Sequence, residues 1–367
     1  MVTLIRSASD THSGIHTAGK LSREVTQGKL LRLHRGVYIR PEDWLSAPRW
    51  DRYLISCAAL SQSKPGTVFC QTSALAIYGV SLNPTPSEIS VRSAHGRAGH
   101  RLPPPLTGNA SDATIRQLVQ SSAPGGGHHL LRQIPVRGLE PPLPRGISRR
   151  DYRQAVAAGD VLPAEPQVAQ PRLSDGTILD QQLLVEPPEE ALVTSVARMT
   201  LASGVITADS ARRGDGLLPA AVGPESLARA EPLLRTGPMR SRFRAVWDFS
   251  DPRAESAGES YARVLIHQLG FAAPTLQQSF TLASGRQVRV DFWWEEVRLI
   301  GEFDGLMKYR QAERFGYGGA AEAVIEEKRR EDGLRGLGCG LLRWDWEDLE
   351  RPQRFRRKLA AAGVPRR

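Results

Sequence analysis

The chain has 367 residues and a formal net charge of +10, from 49 lysines and arginines against 39 acidic residues. This length allows two or three domains with their own cores, and the basic excess favours an anionic partner such as nucleic acid over a neutral metabolite. The three cysteines are an odd number without C-x-x-C spacing, so neither a disulfide framework nor a zinc knuckle is indicated, and no apolar run approaches the roughly 20 residues of a membrane span. We therefore expect a cytoplasmic protein that makes no membrane contact.

The first 45 residues are predicted to form a winged helix-turn-helix domain. A helical pattern ends near Gly28, and the residues that follow, up to Pro41, alternate apolar and basic side chains around Gly36 as a two-stranded ribbon does. In such modules one helix lies in the major groove of double-stranded DNA while the ribbon touches the backbone. The side chains that we expect to bind nucleic acid are Arg23, Lys29, Arg32, Arg35 and Arg40.

Residues 46–250 are predicted to be a mixed α/β middle region with loops rich in proline and glycine. The pattern indicates a strand at residues 88–92, a linker over 238–255, and helices over 49–62, 71–78, 189–201 and 205–213. The Gly125-Gly-Gly stretch lacks the Gly-Lys-Ser/Thr ending of a phosphate-binding loop, so no nucleotide cofactor is expected.

Residues 251–350 are predicted to fold as a helix, three strands, a helix and a strand, in the order αβββαβ. The predicted elements cover residues 255–269, 275–282, 288–294, 298–303, 321–337 and 340–346. This order with short connections fits a mixed sheet flanked by helices, so the fold class is α+β in several domains. Residues 351–367 are predicted to be a basic tail because they contain no acidic side chain.

Two neighbouring strands of this last domain bring acidic side chains together. Pairing Trp294 with Leu299 across a short turn puts Asp291 directly opposite Glu302, and Asp304 lies on the same face because side chains alternate along a strand. Opposed carboxylates repel one another unless a proton, a cationic side chain or a divalent metal lies between them. The structural alternative is a salt bridge from Asp291 to a neighbouring arginine, which is a common and weak interaction at a protein surface.

A divalent cation between these carboxylates would indicate a phosphodiester site. Mg2+ is usually held by one or two carboxylates together with water and phosphate oxygens, so Asp291 and Glu302 are the predicted ligands of Mg2+ or Mn2+. Asp304 would add a ligand or orient a water molecule. Glu259, on the first helix of the domain, would supply a further carboxylate.

Phosphodiester cleavage also requires a cation near the nucleophile or the transition state. Lys308 follows the hairpin and is slightly favoured because it is closer in sequence to the carboxylates. Lys328 is the other candidate, and it lies on the second helix of the domain.

The motifs of the last domain resemble a known family. The stretch Gly301-Glu-Phe-Asp-Gly-Leu-Met-Lys-Tyr, with Val-Asp-Phe before it and Leu-Arg-Trp-Asp-Trp after it, is similar to the restriction-endonuclease-like domains of the PD-(D/E)XK group. The likeness is to very-short-patch-repair-like domains and covers about residues 253–350. Near the N-terminus, Leu30-Leu-Arg-Leu-His-Arg-Gly-Val-Tyr resembles the winged helix of AbiEi-type antitoxins from toxin-antitoxin systems.

The resemblance implies a role for each acidic residue. Asp291 matches the aspartate that the family has on its strand, and Glu302 matches the acidic residue of the strand that follows. Glu259 matches the glutamate of the family's first helix. The family has a lysine two residues after the second acid, where this chain has Asp304, so Lys308 or Lys328 would have to replace it.

These expectations lead to two candidate functions. In a third interpretation, the protein is a basic nucleic-acid-binding scaffold in which the carboxylates have only a structural role. The first is a DNA-binding protein with a C-terminal nuclease that depends on Mg2+ or Mn2+. The alternative is a non-enzymatic antitoxin-like transcriptional repressor with a degenerate nuclease fold, for which a cognate toxin would be a second partner.

Overall fold

The computed structural model describes residues 3–6, 17–93, 99–122, 128–151, 154, 165–216, 218, 222–305 and 317–367. The chain divides into two compact units: unit 1 comprises residues 1–198 and 214–243, and unit 2 comprises residues 199–213 and 244–367. Each unit combines helices with β-sheet, as the predicted α+β class requires, although the units do not coincide with the four predicted segments. Within the described ranges, no helix combines the length and the apolar composition needed to cross a membrane.

Unit 1 begins with a small antiparallel sheet and one described helix. The elements are β1 (Ile5–Arg6), α1 (Thr17–Thr26), β2 (Leu31–His34) and β3 (Val37–Ile39), and the strands lie in the order β1, β3, β2. Gly28 and Gly36 have φ angles of +73° and +75°, which glycine adopts without the steric cost of a Cβ atom. The predicted helix end near Gly28 and the predicted ribbon turn at Gly36 are therefore confirmed.

His34, the last residue of β2, is buried. Burial lowers the pKa of its imidazole from 6.5 to about 4, so the folded protein keeps this side chain neutral at pH values where the unfolded chain protonates it. The contribution of His34 to stability is therefore present above pH 6.5 and is lost as the pH falls towards 4.

This titration gives a measurable pH dependence. When the pH falls from about 7.5 to about 4.5, we expect the wild-type protein to lose roughly 2 to 3 kcal/mol more unfolding free energy than a His34→Gln variant. Urea unfolding followed by tryptophan fluorescence at the two pH values measures the difference. Equal losses in the two proteins would contradict the assignment.

The rest of unit 1 is built on a six-stranded sheet with the order β6, β7, β5, β4, β9, β8. In this sheet β4 is parallel to β9 and β5 is parallel to β7, while the other neighbours are antiparallel. The strands are β4 (Val68–Phe69), β5 (Ile89–Arg92), β6 (Gly99–Arg101), β7 (Val136–Leu139), β8 (Gln167–Ala169) and β9 (Leu183–Val185).

The α-helices of the middle of the chain include those predicted over 49–62, 71–78, 189–201 and 205–213. Their bounds are α2 (Pro41–Leu45), α3 (Arg49–Ser63), α4 (Thr72–Ile77), α5 (Asp112–Ser122), α6 (Pro188–Val196), α7 (Leu201–Arg213), α8 (Pro224–Ala230) and α9 (Gly237–Phe249). Short 3-10 helices cover His128–Leu131 and Glu231–Leu233. Helix α7 belongs to unit 2, and α9 occupies much of the predicted linker, so the prediction of a linker is wrong for those residues.

A buried ion pair joins segments of the six-stranded sheet. Glu186, directly after β9, is 4% exposed and accepts hydrogen bonds from the backbone N–H of Gln71 and from Arg92 Nη2. Burial raises the pKa of Glu186, and the charge of Arg92 opposes that shift. Arg92 Nη1 also donates to the carbonyl of Glu140 at 2.8 Å. Since Gln71 has a φ angle of +51°, the Glu186 carboxylate also holds a backbone conformation that is costly for a residue with a side chain.

Unit 2 has the predicted order of a helix, three strands, a helix and a strand. Its elements after α9 are α10 (Ala257–Gln268), β10 (Thr275–Thr281), β11 (Gln287–Trp294), β12 (Leu299–Phe303), α11 (Tyr317–Gly336), β13 (Gly340–Trp344), α12 (Trp346–Glu350) and α13 (Pro352–Ala361). The strands lie in numerical order; β12 and β13 are parallel, and the other two neighbouring pairs are antiparallel.

Hydrophobic clusters cover both faces of this four-stranded sheet. Phe292 of β11 packs in a cluster with Ile266 of α10, whereas Trp293 and Ile300 pack in a second cluster with Leu334 of α11. Adjacent residues of a strand point to opposite faces. Helices α10 and α11 therefore cover opposite faces of the sheet.

The predicted basic tail is a folded part of unit 2. Phe355 and Leu359 of α13 are fully buried in the cluster that contains Phe292. Apolar residues four positions apart lie on one face of a helix, which here is the inner face, while Arg356 and Arg357 are exposed. The prediction of a tail is corrected by this packing.

A second buried ion pair joins α7 to α10. Asp209 is fully buried, and its carboxylate accepts hydrogen bonds from Arg263 Nη1 at 2.9 Å and from the backbone N–H of Asp251 at 2.6 Å. Arg263 also donates to the carbonyl of Phe249 at 2.7 Å and lies 5.1 Å from the centroid of its ring. Burial raises the pKa of Asp209 to about 6, although the charge of Arg263 acts in the opposite direction.

Candidate functional site

The register of β11 and β12 is the one predicted from the sequence. Trp294 pairs with Leu299, and the pairing continues to Phe292 opposite Gly301, where it ends one position before Asp291 and Glu302. Asp291 Oδ2 accepts a hydrogen bond from the backbone N–H of Phe303 at 3.0 Å. The half-buried Asp291 carboxylate is therefore held beside β12.

The pairing between β10 and β11 is interrupted beside Asp291. Leu276 pairs with Phe292 and Gln278 with Val290, but the intervening pair is absent from the register, and Gln277 has a φ angle of +54°. This irregularity turns the Gln277 side chain towards α10. Its amide nitrogen donates to Glu259 Oε2 at 3.0 Å.

Glu259 is a buried carboxylate in the first turn of α10. The Ser256 hydroxyl donates to Oε1 at 2.8 Å, and the backbone N–H of Glu255 donates to Oε2 at 2.8 Å. Burial raises the pKa of Glu259, and the negative charge of Asp291 raises it further. Glu259 thus lies within range of the charge of Asp291.

The close approach of α10 to β12 depends on Gly258. A Cβ atom at this position would lie 2.1 Å from Cε1 of Phe303, which is far inside van der Waals contact. Phe303 can pack against the helix only because Gly258 has no side chain. Since Phe303 also donates its N–H to Asp291, the glycine lets α10 approach the part of β12 that holds Asp291.

Two arginines neutralise the carboxylate of Glu302. Arg330 Nη2 of α11 donates to Glu302 Oε1, and Arg343 Nε of β13 donates to Oε2 at 3.3 Å. Arg343 reaches this position because β13 runs parallel to β12 with Arg343 in register with Glu302. Both oxygens of Glu302 therefore accept hydrogen bonds from guanidinium groups.

Arg330 lies between the two acidic strands. Its Nη2 atom also donates to the carbonyl of Arg289 on β11 at 2.9 Å. Burial alone would lower the pKa of Arg330, but the hydrogen bond to Glu302 and the charges of Glu302, Glu327 and Asp291 raise it instead. The cation that meets the acidic pair is thus an arginine, which the sequence analysis did not select.

The other predicted catalytic residues lie elsewhere or make other contacts. Asp304 is half-buried just after β12, and its backbone N–H donates to the carbonyl of Trp344 at 2.8 Å. Lys328 is exposed on α11, and in the described part of the chain no ion pair joins it to Asp291 or Glu302. Lys308 lies outside the described residues.

The carboxylates in this arrangement do not fit a divalent ion. Among the described side chains, no group of three or more histidines, cysteines, aspartates and glutamates is placed to hold a metal. Glu302 presents both oxygens to arginines, and Asp291 Oδ2 accepts from a backbone N–H. An ion between Asp291 and Glu302 would have to displace the guanidinium groups.

The predicted nucleic-acid-binding side chains of unit 1 have different environments. Arg23, Lys29 and Arg35 are exposed, which leaves them accessible to a large anionic partner. Arg32 Nη2 donates to the hydroxyl of Ser22 at 3.0 Å. Arg40 forms a surface ion pair with Asp43 at 3.1 Å, beside Glu42 at 3.7 Å.

Comparisons with known proteins find similar sequences in Mycobacterium tuberculosis. "Uncharacterized protein MT2308" of strain CDC 1551 / Oshkosh and "Uncharacterized protein Rv2248" of strain ATCC 25618 / H37Rv are each 32% identical to this chain over 118 residues. The match covers 32% of this chain and only 40% of the length of each relative. No family model matches the chain, and no solved structure matches it. These similarities assign no activity to the protein.

Proposed function

We propose that this is a DNA-binding protein whose unit 2 is a nuclease-like domain that hydrolyses phosphodiester bonds. The observation that carries the proposal is the position of Asp291, whose carboxylate is held beside β12 by the N–H of Phe303 and whose charge acts on the buried Glu259. Glu259 of α10, Asp291 of β11 and Glu302 of β12 are acidic residues of the type that phosphodiester chemistry uses, and Glu302 is here held by two arginines. The element order αβββαβ and the motif around Glu302 support the same assignment.

DNA binding is proposed for the N-terminal part of unit 1. Helix α1 and the hairpin of β2 and β3 are the elements that a winged helix would use, and Arg23, Lys29 and Arg35 are exposed on or beside them. Basic side chains in these places contact phosphates and supply affinity that falls with salt. Double-stranded DNA is the partner that we propose.

A cleavage assay tests the nuclease proposal. Full-length protein is incubated with supercoiled plasmid in Mg2+ or Mn2+, because a divalent ion is the cofactor that the resemblance implies. We expect nicking by the wild-type protein and a loss of roughly 100-fold or more in Asp291→Asn, comparable to removing one group that stabilises a transition state.

Asp248→Asn is the matched control, since Asp248 is exposed on α9 and lies outside the acidic site. This variant should nick like the wild type. Equal nicking by Asp291→Asn would identify a contaminant, and absence of cleavage by the wild type across metals and DNA or RNA substrates would reject the nuclease.

A second function is favoured by the two arginines on Glu302. Because Arg330 and Arg343 already neutralise this carboxylate, unit 2 is also compatible with a degenerate nuclease fold in a non-enzymatic AbiEi-type repressor. Such a repressor would bind its own promoter selectively without cleaving it, and a cognate toxin would be its other partner. Binding should weaken in a Lys29→Ala/Arg35→Ala variant and should still prefer the promoter over random DNA at moderate salt.

A further inference from the structure

The outer face of α13 exposes Gln353, Arg356 and Arg357, which we call the α13 surface. Residues 356 and 357 follow residue 353 by three and four positions, so the three side chains are neighbours on the helix. The inner face is fixed in the core of unit 2 by the buried side chains of Phe355 and Leu359. The same packing therefore keeps the two arginines turned towards solvent.

The two arginines of the α13 surface have no acidic partner, whereas their basic neighbours do. Glu347 of α12 contacts Arg354 at 2.9 Å. Asp348, also of α12, contacts Lys358 at 2.5 Å. Throughout the described ranges, no acidic side chain lies within ion-pair distance of the arginines of the α13 surface. The acidic residues of α12 are thus taken up by other cations, and the charge of the α13 surface is left uncompensated.

The α13 surface belongs to the same unit as the acidic residues proposed for hydrolysis. Trp346 is the first residue of α12, and its ring centroid lies 5.4 Å from that of Phe303. The backbone N–H of Phe303 holds Asp291. Helix α13 begins two residues after α12 ends, so α12 connects the end of β12 to the α13 surface.

We propose that the α13 surface binds the phosphodiester backbone of double-stranded DNA through Arg356 and Arg357, as a contact separate from that of α1 and the β2–β3 hairpin. A guanidinium group donates paired, charge-assisted hydrogen bonds to phosphate oxygens, and the amide of Gln353 supplies a further donor. Such contacts add affinity without reading the base sequence. The proposal extends DNA binding to unit 2 and does not depend on hydrolysis.

Two features of α13 disfavour other anionic partners. An amphipathic helix that binds a lipid surface inserts its apolar face into the membrane, but Phe355 and Leu359 are already buried in unit 2. The cores of protein interfaces are rich in aromatic and other large apolar side chains. In the described part of the chain, the exposed large apolar side chains lie outside α13. A phosphate backbone is therefore the partner whose chemistry matches this surface.

Binding of a random-sequence duplex to the full-length protein tests the proposal. Fluorescence anisotropy of the labelled duplex, in EDTA to prevent cleavage, compares the wild type with Arg356→Gln/Arg357→Gln. Each phosphate contact contributes about 0.9 to the slope of log affinity against log salt, so the double variant should lose about 1.8 of this slope. Between about 50 and about 200 mM salt, the affinity of the wild type should therefore fall about tenfold more than that of the variant.

Arg329→Gln/Arg335→Gln is the matched control, because it removes the same net charge from α11 on the opposite face of the sheet. These two side chains are 72% and 58% exposed and pair with acidic residues of α11. The control should keep the salt slope of the wild type. Arg356→Lys/Arg357→Lys keeps both charges and should bind within about threefold of the wild type. Circular dichroism and urea unfolding establish that each variant is folded.

The Lys29→Ala/Arg35→Ala variant separates the α13 surface from the DNA contact proposed for unit 1. If this variant binds more weakly while Arg356→Gln/Arg357→Gln keeps the wild-type affinity and slope, the α13 surface is rejected and the unit 1 contact stands. The opposite result supports the α13 surface and rejects the unit 1 contact. Weaker binding by both variants supports both contacts, and a wild type that binds no duplex rejects both.

Vesicles that contain phosphatidylserine test the competing lipid partner by co-sedimentation. If Arg356→Gln/Arg357→Gln loses vesicle binding but keeps its affinity for the duplex, the α13 surface is a lipid contact and the proposal is overturned. None of these measurements requires cleavage. Failure of the nicking assay therefore leaves the result for the α13 surface unchanged, and rejection of the α13 surface leaves the nuclease proposal to its own test.

Discussion

Replacement of Arg92 by methionine is expected to lower the free energy of unfolding by about 3 to 5 kcal/mol, the usual cost of leaving one member of a buried ion pair without its partner. Arg92 is the side chain whose charge compensates Glu186, which is 4% exposed. Without it, the Glu186 carboxylate keeps only the N–H of Gln71 as a described hydrogen-bond donor. Urea unfolding followed by tryptophan fluorescence measures the loss.

The pH dependence of this loss provides a check on its cause. Burial already raises the pKa of Glu186, and removing Arg92 takes away the charge that opposes this shift. The variant's stability should therefore fall as the pH rises, and the loss should be larger near pH 8 than near pH 5. Arg137→Met is the matched control, since Arg137 has a 54% exposed side chain and pairs with Glu88 at the surface, an interaction worth about 0 to 1 kcal/mol. Similar losses for both replacements would contradict the prediction.

An Asp209→Ala replacement is expected to cost a similar amount, about 3 to 5 kcal/mol, in unit 2. It leaves the guanidinium of Arg263 and the N–H of Asp251 without the carboxylate that both contact. Because Arg263 is only 12% exposed, water replaces the lost partner poorly. The expected result is a lower urea midpoint with an unchanged far-ultraviolet spectrum of the folded state.

Two further variants establish whether the lost charge is the cause. Asp248→Ala changes an exposed aspartate of the neighbouring α9 and should stay within about 0.5 kcal/mol of the wild type. Adding Arg263→Met to Asp209→Ala should recover part of the loss, because an unpaired buried charge is then removed. A double variant less stable than the single one would show that packing, and not charge, dominates at this site.

The sequence predicted unit 2 better than unit 1 because its strongest signals are local. The turn after Trp294 fixes the pairing with Leu299, and that pairing brings the strands that carry Asp291 and Glu302 together. The spacing of apolar residues is also sufficient to predict α10. Phe355 and Leu359 carried the same helical signal in the last segment, but the density of basic residues around them obscured it.

The arginines at Glu302 could not be predicted from local patterns. Arg343 lies beside Glu302 because β12 and β13 are parallel neighbours joined through α11, and this register is set by packing over about 40 residues of chain. Arg330 reaches the same carboxylate from one turn of α11 that also contains Lys328. The sequence shows basic side chains on the helix but does not show which of them points to the sheet.

The six-stranded sheet of unit 1 was missed for a related reason. Its strands have two to four residues each, and β4 pairs with β9, more than 100 positions later. Alternation of apolar and polar residues needs about four or more positions to be recognised, so strands of this length leave little pattern. Pairing between strands that are far apart in the sequence therefore determines most of this sheet.

The membership of α7 in unit 2 has a practical consequence for dissecting this protein. The chain passes from one unit to the other after residues 198, 213 and 243, so unit 2 is not encoded by one continuous stretch. A C-terminal fragment that starts at residue 251 would discard Asp209 and expose Arg263 and the surface of α10 that α7 covers. Expression of such a fragment should give an insoluble or poorly folded product, whereas grafting residues 199–213 ahead of residue 244 through a flexible connector would restore the missing helix.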